Sequence, residues 1–204
     1  MSRSRTKAWL DRELELLAVV HEIIRSIEED TERYDSIDFL IDLLYSTVVS
    51  TVEDYLADEY DAAFSENMNG LYDTPDEALR REVIYAEVAG QNFAERIMEY
   101  AMAGLEDFET KLAGLVSTDG HRVRSEGALA AADSLQSVGL TVTKTWRGVL
   151  DEKEREAHVR LEGKTVPYDG YFEIDGHKAK APGLFGVAEL DCNCRCELEI
   201  RVTE

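Results

Sequence analysis

Three cysteines lie within five positions near the end of this 204-residue chain, in the run Cys192-Asn-Cys194-Arg-Cys196. Alternate residues of an extended segment point to the same side, and thiolates are ligands that zinc prefers. Cys194 and Cys196 could therefore hold a zinc ion together with a histidine, either His158 or His177. The same constrained spacing makes a disulfide between the two cysteines difficult.

The cysteine spacing nevertheless argues against a standard structural zinc site. Such sites usually place two to four residues between paired cysteines, and no second cysteine pair exists in this sequence. We therefore expect no cofactor, with Cys194 and Cys196 packed in a small core and Arg195 directed outward. Zinc held by His158, Cys194 and Cys196 stays open as the alternative.

A second group of reactive side chains follows Asp151, which we predict to cap a short helix that carries Arg155 and His158. An Asp/His pair can serve a hydrolase, but no nucleophile in a glycine elbow accompanies this one. We therefore predict no catalytic residue: Asp151 and Arg155 stabilise the helix, and His158 anchors the C-terminal strand. A metal- or thiol-dependent enzyme, or a toxin-related domain, centred on His158, Cys194 and Cys196 remains the alternative.

The net charge of −21 is concentrated in the first half of the chain. Residues 1–112 carry 27 acidic and 10 basic side chains, a net −17, whereas residues 113–204 carry 16 and 12, a net −4. Such a surface repels phosphate, so duplex binding by the whole protein is disfavoured. A third hypothesis is a DNA contact through a basic patch in the second half, made of Arg122, Arg124, Lys144, Arg147, Lys178 and Lys180.

The sequence contains no membrane or export signal that we can identify. No apolar run approaches the ~20 residues of a membrane span, and the N-terminus lacks the apolar segment of a secretory signal. Three crowded cysteines do not form a disulfide framework. We therefore expect a protein made in a cytoplasm, without a membrane partner.

Three long helices are predicted ahead of these residues, over 5–33, 36–65 and about 75–115. Apolar side chains recur there at the three- and four-residue spacing of one helix face. On the first helix this face includes Leu14 and His21, so we predict that His21 is a core or interface histidine. Helices of this length joined by short turns indicate an antiparallel bundle.

Local signals mark two helix starts. Thr74, followed by Pro75 and Glu77, is typical of a capping box at the start of the third helix. The residues 117–119, Ser-Thr-Asp, are predicted to cap a fourth, alanine-rich helix that ends near Val138.

The remaining sequence alternates in the manner of short strands. Strands are predicted at 140–146, 164–168 and 170–174, followed by a turn at Asp175-Gly176, a loop over 179–190 and a last strand from Cys194 to Val202. The predicted fold class is α+β, with a long N-terminal antiparallel helical bundle followed by a small C-terminal α+β domain. We place the division at residues 1–115, an acidic helical arm for docking or assembly, and residues 116–204.

The segment from Thr118 to Cys196 resembles the phage Mu protein F-like and SPP1-type minor head, or head morphogenesis, proteins. The resemblance covers about the last ninety residues, and its order and spacing are specific. It rests on Thr118-Asp119-Gly-His121-Arg122, Glu126-Gly127, Lys144, Trp146, Asp151, Arg155, His158, Gly163, Val166-Pro167, Phe172 and Asn193-Cys194-Arg195-Cys196.

The resemblance implies a minor component of the virion, present in few copies, associated with the portal and acting in head morphogenesis and DNA packaging or delivery. It implies the portal protein and other head proteins as partners, with packaged DNA a further candidate through the C-terminal domain. The expected location is the capsid interior or the portal vicinity, and the host cytoplasm during assembly. The motif residues are expected to be structural. Some relatives continue into toxin domains, and because this sequence ends at Glu204 we expect no toxin module.

Overall fold

A computed structural model of the chain describes residues 2–29, 37–103 and 107–203, without the side chains of 2–7, 27–29 and 37–40. The helices are α1 (Ser2–Glu29), α2 (Ile37–Asn67), α3 (Glu77–Ile84), α4 (Phe93–Ala103), α5 (Phe108–Ser137), α6 (Glu156–Val159) and α7 (Ala188–Asp191). The strands are β1 (Thr141–Arg147), β2 (Thr165–Pro167), β3 (Phe172–Ile174), β4 (His177–Ala179) and β5 (Glu197–Thr203). This arrangement confirms the α+β prediction. Across the described part of the chain, no helix combines the length and apolar character that a membrane crossing requires.

The buried face of α1 differs from the predicted one. Trp9, Val20 and Ile24 are buried, whereas Leu14 is 65% exposed. The exposed side chain of His21 contradicts the prediction of a core histidine, whereas the prediction of an interface histidine fits, because its Nδ1 pairs with Glu109 of α5 at 2.8 Å. Both candidate faces have helical spacing, so periodicity alone cannot choose between them.

The predicted third helix is interrupted. It ends at Ile84 and resumes as α4 at Phe93, with left-handed residues at Ala89 and Gly90 (φ 56° and 86°) in between. The predicted cap at Thr74 is also wrong. The cap is Asp76, whose carboxylate accepts a hydrogen bond from the backbone N–H of Leu79 at 2.8 Å.

Helix α5 is continuous through the predicted start at residues 117–119, so that prediction is wrong. The Asp119 carboxylate does not cap a helix; it accepts from Arg96 at 2.6 Å and from Arg122 at 3.3 Å. Asp119 is fully buried, and these two guanidinium groups compensate its charge. The domain boundary at 115/116 therefore falls inside α5, and the two-domain division remains a prediction.

Helices α1, α2 and α5 form the centre of the helical part. Helix α1 runs antiparallel to α5, since Trp9 contacts His121 while His21 reaches Glu109. It also runs antiparallel to α2, since Trp9 contacts Tyr55 while Val19 lines a cavity with Leu43. Helix α5 departs from the antiparallel pattern and runs in the same direction as α2. Its register is set by Gly127, where a Cβ would overlap the backbone carbonyl of Tyr60.

The C-terminal half contains a three-stranded antiparallel sheet of order β2-β1-β5 and the separate hairpin β3-β4. Strand β2 lies at the edge, which suits Pro167 because proline cannot donate to a ladder. The predicted turn at Asp175-Gly176 is confirmed by two left-handed residues, with φ 48° and 86°. The last strand begins at Glu197, so Cys194 and Cys196 precede it instead of alternating along it.

Among the residues that the structure describes, buried apolar side chains form two clusters. One lies among the helices from α1 to the first half of α5. The other lies between the second half of α5 and the strands, and it includes Phe64 and Met68 from the end of α2. Asn67 joins the two parts, because its side-chain oxygen accepts from the N–H of Ile200 at 3.1 Å. Helices α2 and α5 thus hold the C-terminal residues in place.

Candidate functional site

The structure brings three of the chemically suggestive residues together. Nδ1 of His158 lies 3.6 Å from Sγ of Cys194 and 3.5 Å from Sγ of Cys196. The three ligand atoms lie within 4.8 Å of one another, and each residue is only 1% exposed. His177, the alternative third ligand, lies exposed on β4 and is not part of this cluster.

Short local elements position these three residues. His158 is carried by the single-turn helix α6, and the two cysteines lie on the segment that enters β5. Asn193 adopts a left-handed conformation (φ 53°), which bends the chain immediately before Cys194. Asparagine tolerates this conformation better than most residues.

Trp146 is the centre of the aromatic packing around His158. Its ring is fully buried and makes edge-on contacts with His158 and Phe172, at centroid distances of 5.5 and 5.3 Å. Phe185 adds a third contact at 6.0 Å. Nε2 of His158 has no hydrogen-bond partner among the described residues. Packing and the two thiols therefore fix the histidine ring.

Asp151 and Arg155 play other roles than the predicted ones. Asp151 does not cap α6, which begins at Glu156; its carboxylate instead pairs with Arg195. This pairing lowers the pKa of Asp151 to about 2. The guanidinium of Arg155 donates to the backbone carbonyl of Cys192. Both contacts reach across from the residues around α6 to the cysteine run.

Glu154 is a member of the site that the sequence did not reveal. The Sγ of Cys196 lies 3.3 Å from Oε1 of Glu154, and Oε2 accepts from the N–H of Leu150. Gly148 leaves the space for this carboxylate, because a Cβ there would overlap it. Glu154, His158 and both cysteines line a cavity of about 10 Å³.

His121 was also missed as a site residue, although it belongs to the motif that the sequence showed. It is 2% exposed on α5, and its Nε2 contacts the backbone carbonyl of Cys196. Burial opposes its protonation, but the neighbouring Cys194 and the Cys196 carbonyl outweigh this, and the pKa of His121 is raised. The sequence signal that could have indicated His121 was a histidine within an alanine-rich helix, where a polar side chain needs a buried partner.

The two thiols differ in acidity because they contact each other. Hydrogen bonding from Cys196 lowers the pKa of Cys194, and the neighbouring His121 and His158 act in the same direction. The pKa of Cys196 is raised, mainly by Cys194 and by burial. Cys194 is thus the more acidic of the two thiols, and the thiolate is the form of cysteine that binds metal ions.

Four of the six cations of the hypothetical basic patch are engaged within the protein, which leaves Lys178 and Lys180 exposed. Arg124 is buried and pairs with Glu59 at 2.8 Å, and Arg147 pairs with Glu199 at 2.6 Å. Lys144 is fully buried, and its Nζ donates to the carbonyl of Gly170 at 2.9 Å. These three cations are therefore engaged by carboxylates and a carbonyl of the same chain.

Residues 77–199 of the chain match the family described as Phage Mu protein F like protein. The chain belongs to this family. The resemblance derived from the sequence is thereby confirmed, but the family match begins about forty residues before Thr118. The structure gives the reason, since Arg122 donates to the carbonyls of Val83 and Ile84 and Asp119 binds Arg96. Helices α3 and α4 thus complete the Mu F-like unit.

Two curated relatives are similar to parts of this Mu F-like chain. A minor head protein of Bacillus phage SPP1 is 40% identical over 82 residues, 40% of this chain. A protein of Enterococcus faecalis named NAD(+)--arginine ADP-ribosyltransferase EFV is 31% identical over 129 residues, 62% of this chain. The chain spans 26% of the length of each of these relatives. No solved structure matches it.

The remaining motif residues of this Mu F-like protein serve backbone geometry and packing. Gly163 is left-handed (φ 73°) in the turn after α6, and its N–H donates to the carbonyl of Trp146. Phe172 is fully buried on β3. These positions support the prediction of a structural motif, which stays a prediction for the motif as a whole.

Proposed function

We propose that this chain acts as a minor head protein of a bacteriophage or prophage, built into heads in few copies during morphogenesis. The observation that carries the proposal is the family match over residues 77–199, which runs from α3 to the first residues of β5. The similarity to a minor head protein of phage SPP1 supports the same role. The virion is the proposed final location, and the host cytoplasm the place of assembly.

The proposed role is not enzymatic. The cavity beside His158, Cys194 and Cys196 has a volume of about 10 Å³. Small-molecule sites occupy ~300–1,000 Å³, so this cavity is far too small for a nicotinamide nucleotide or a similar substrate. The ADP-ribosyltransferase name belongs to a relative of which this chain covers 26%. Its activity is therefore not assigned to this chain.

The proposed partner is the portal protein, contacted by the acidic helical arm. Helix α1 carries exposed apolar side chains, with Leu14 65% and Val19 51% exposed. They lie in a half of the chain whose net charge is −17 over residues 1–112. Apolar contacts surrounded by acidic groups suit a partner surface that is basic around an apolar centre.

The proposed contribution to DNA packaging or delivery is made through the portal and not through duplex binding. Arg122, Arg124 and Arg147 are occupied by carboxylates of the same chain. We therefore expect duplex binding at physiological salt on the order of 10⁻⁴ M or weaker. Tight, salt-sensitive binding of the intact protein in a mobility-shift assay would contradict this part of the proposal.

The role is tested by deleting the gene from its phage or prophage and supplying the protein from a plasmid. Purified heads should contain the chain in a few copies by quantitative mass spectrometry. Deletion should lower the yield of DNA-filled heads in electron micrographs, and the plasmid should restore it. Absence of the chain from purified heads would refute the assignment.

The arm is tested with a point variant, because truncation would remove Phe64 and Met68 from the C-terminal core. Leu14→Asp should fold normally and be lost from heads. The matched control is Val138→Asp, which changes a side chain that is 68% exposed beyond the end of α5. Equal incorporation of both variants would disprove docking through α1.

A further inference from the structure

Contrary to the expectation of no cofactor, we propose that the chain binds one zinc-class divalent metal ion through Nδ1 of His158 and the Sγ atoms of Cys194 and Cys196, with the Glu154 carboxylate as fourth ligand. Zinc binds sulfur at about 2.3 Å and imidazole nitrogen at about 2.0–2.1 Å in a tetrahedron, which separates the two ligand atoms by about 3.5 Å. The observed separations from Nδ1 of His158 are 3.6 Å to Cys194 and 3.5 Å to Cys196.

Hydrogen bonds account for part of this arrangement, since the Cys196 thiol donates to Oε1 of Glu154 at 3.3 Å, but they do not require both sulfurs to approach the same nitrogen. A neutral imidazole offers one acceptor lone pair, so Nδ1 of His158 can accept a proton from one thiol only. Both thiols converge on it, and all three side chains are 1% exposed. A metal ion would use both sulfurs and the nitrogen together, and soft thiolates with imidazole favour zinc among the common divalent ions.

The ligand atoms that lie within 4.8 Å of one another do not include Glu154, so its carboxylate would have to shift toward them to bind the ion. Its Oε1 lies 3.3 Å from Sγ of Cys196, and it lines the same cavity as the other three side chains. The volume of about 10 Å³ is room for about one small atom. The absence of a side chain at Gly148 leaves space for the carboxylate.

The proposed ion would have a structural role. Its ligands come from the residues around α6 and from the segment that enters β5, so it would join two parts of the chain about forty residues apart. Four protein ligands leave no open position for a substrate. His121 supports the cysteine segment from the side, through its contact with the Cys196 carbonyl. The proposal is independent of the role in head assembly.

The first measurement uses the full-length chain, purified without an affinity tag under reducing conditions and without chelators. Elemental analysis should find about one zinc per chain. After zinc is exchanged for cobalt(II), the protein should show a thiolate charge-transfer band and the intense visible bands of tetrahedral coordination. A chain without zinc that also gives no tetrahedral cobalt spectrum would overturn the proposal, as would a Cys194–Cys196 disulfide under these conditions.

Variants then identify the ligands. His158→Gln, Cys194→Ser and Cys196→Ser should each abolish the tetrahedral cobalt spectrum. The matched controls are Cys192→Ser and His177→Gln, which change the same residue types outside the cluster and should keep both zinc and spectrum. Loss of binding in the controls alone would refute the assigned ligands.

Glu154→Gln tests the fourth ligand. Replacing residues that merely orient ligands typically weakens metal binding 10–100-fold, so removal of a direct ligand should weaken zinc binding at least about tenfold in chelator competition. Unchanged affinity would exclude Glu154. If a cysteine or histidine variant fails to fold, the metal content and cobalt spectrum of the unchanged chain still decide the main proposal.

Discussion

Arg195 and Asp151 form a two-point ion pair across 44 residues of sequence, with Nη1 2.5 Å from Oδ2 and Nη2 2.6 Å from Oδ1. Parallel hydrogen bonds of this kind fix the guanidinium and the carboxylate in one plane. The pair connects the cysteine run with the turn that precedes α6. It therefore holds the two segments between which His158 and the cysteines meet.

Removing either partner of this pair should destabilise the protein. Asp151→Ala and Arg195→Ala should each lower the urea midpoint, and the double variant should be no less stable than Arg195→Ala alone, because both lose the same interaction. The control is Arg160→Ala. Arg160 bonds Asp175 through one nitrogen, with both side chains more than half exposed, so its loss should matter less. Additive effects of the two substitutions would contradict the coupling.

Glu59 should be important for stability in the helical half. It is fully buried and binds Arg12 at 2.5 Å and Arg124 at 2.8 Å. Glu59→Gln should lower the free energy of unfolding by about 3 kcal/mol, because Arg12 loses its carboxylate partner and the buried Arg124 keeps only the partly exposed Glu66. Glu22→Gln, at an exposed pair with Arg25, should change it by less than about 0.5 kcal/mol. Similar losses of unfolding free energy for Glu59→Gln and Glu22→Gln in urea denaturation would contradict this prediction.

Two glycines of α5 should respond to alanine in opposite directions. A Cβ at Gly127 would overlap the Tyr60 carbonyl, so Gly127→Ala should cost about 1–3 kcal/mol by forcing α2 and α5 apart. Gly114 has no atom near its missing Cβ, so Gly114→Ala should stabilise the helix by about 0.5–1 kcal/mol. Urea denaturation of both variants is the measurement, and a loss at both positions would contradict the assigned packing.

Because of Lys144, the protein should become more stable as the pH rises above about 8. Burial, with help from the positive charge of Lys180, lowers the pKa of Lys144 to about 8. In the unfolded chain this pKa returns to about 10.4, so between pH 8 and about 10.4 the unfolded state binds more protons. The free energy of unfolding should therefore rise with pH across this window, relative to Lys144→Met. If the free energy of unfolding changed with pH in the same way in both proteins, the lowered pKa of Lys144 would be contradicted.

The sequence by itself determined the α+β class, the approximate strands, the turn at Asp175-Gly176 and the family. These features depend on short-range signals, such as alternation along a strand or glycine in a left-handed turn, which neighbouring residues carry. The sequence also offered Cys194 and Cys196, with either His158 or His177, as a possible metal site. Only the structure brought His158 to the two cysteines.

Only the tertiary structure decided which face of α1 is buried, where the third helix breaks and why α5 does not start at residue 117. The first and the last of these depend on distant partners, Tyr55 for Trp9 and Arg96 for Asp119. The same holds at the site, where Glu154 meets Cys196 from 42 positions away and His121 from 75. Local sequence patterns do not identify such pairs. The position of a buried charge or polar group depends on the distant partner that replaces its lost hydration.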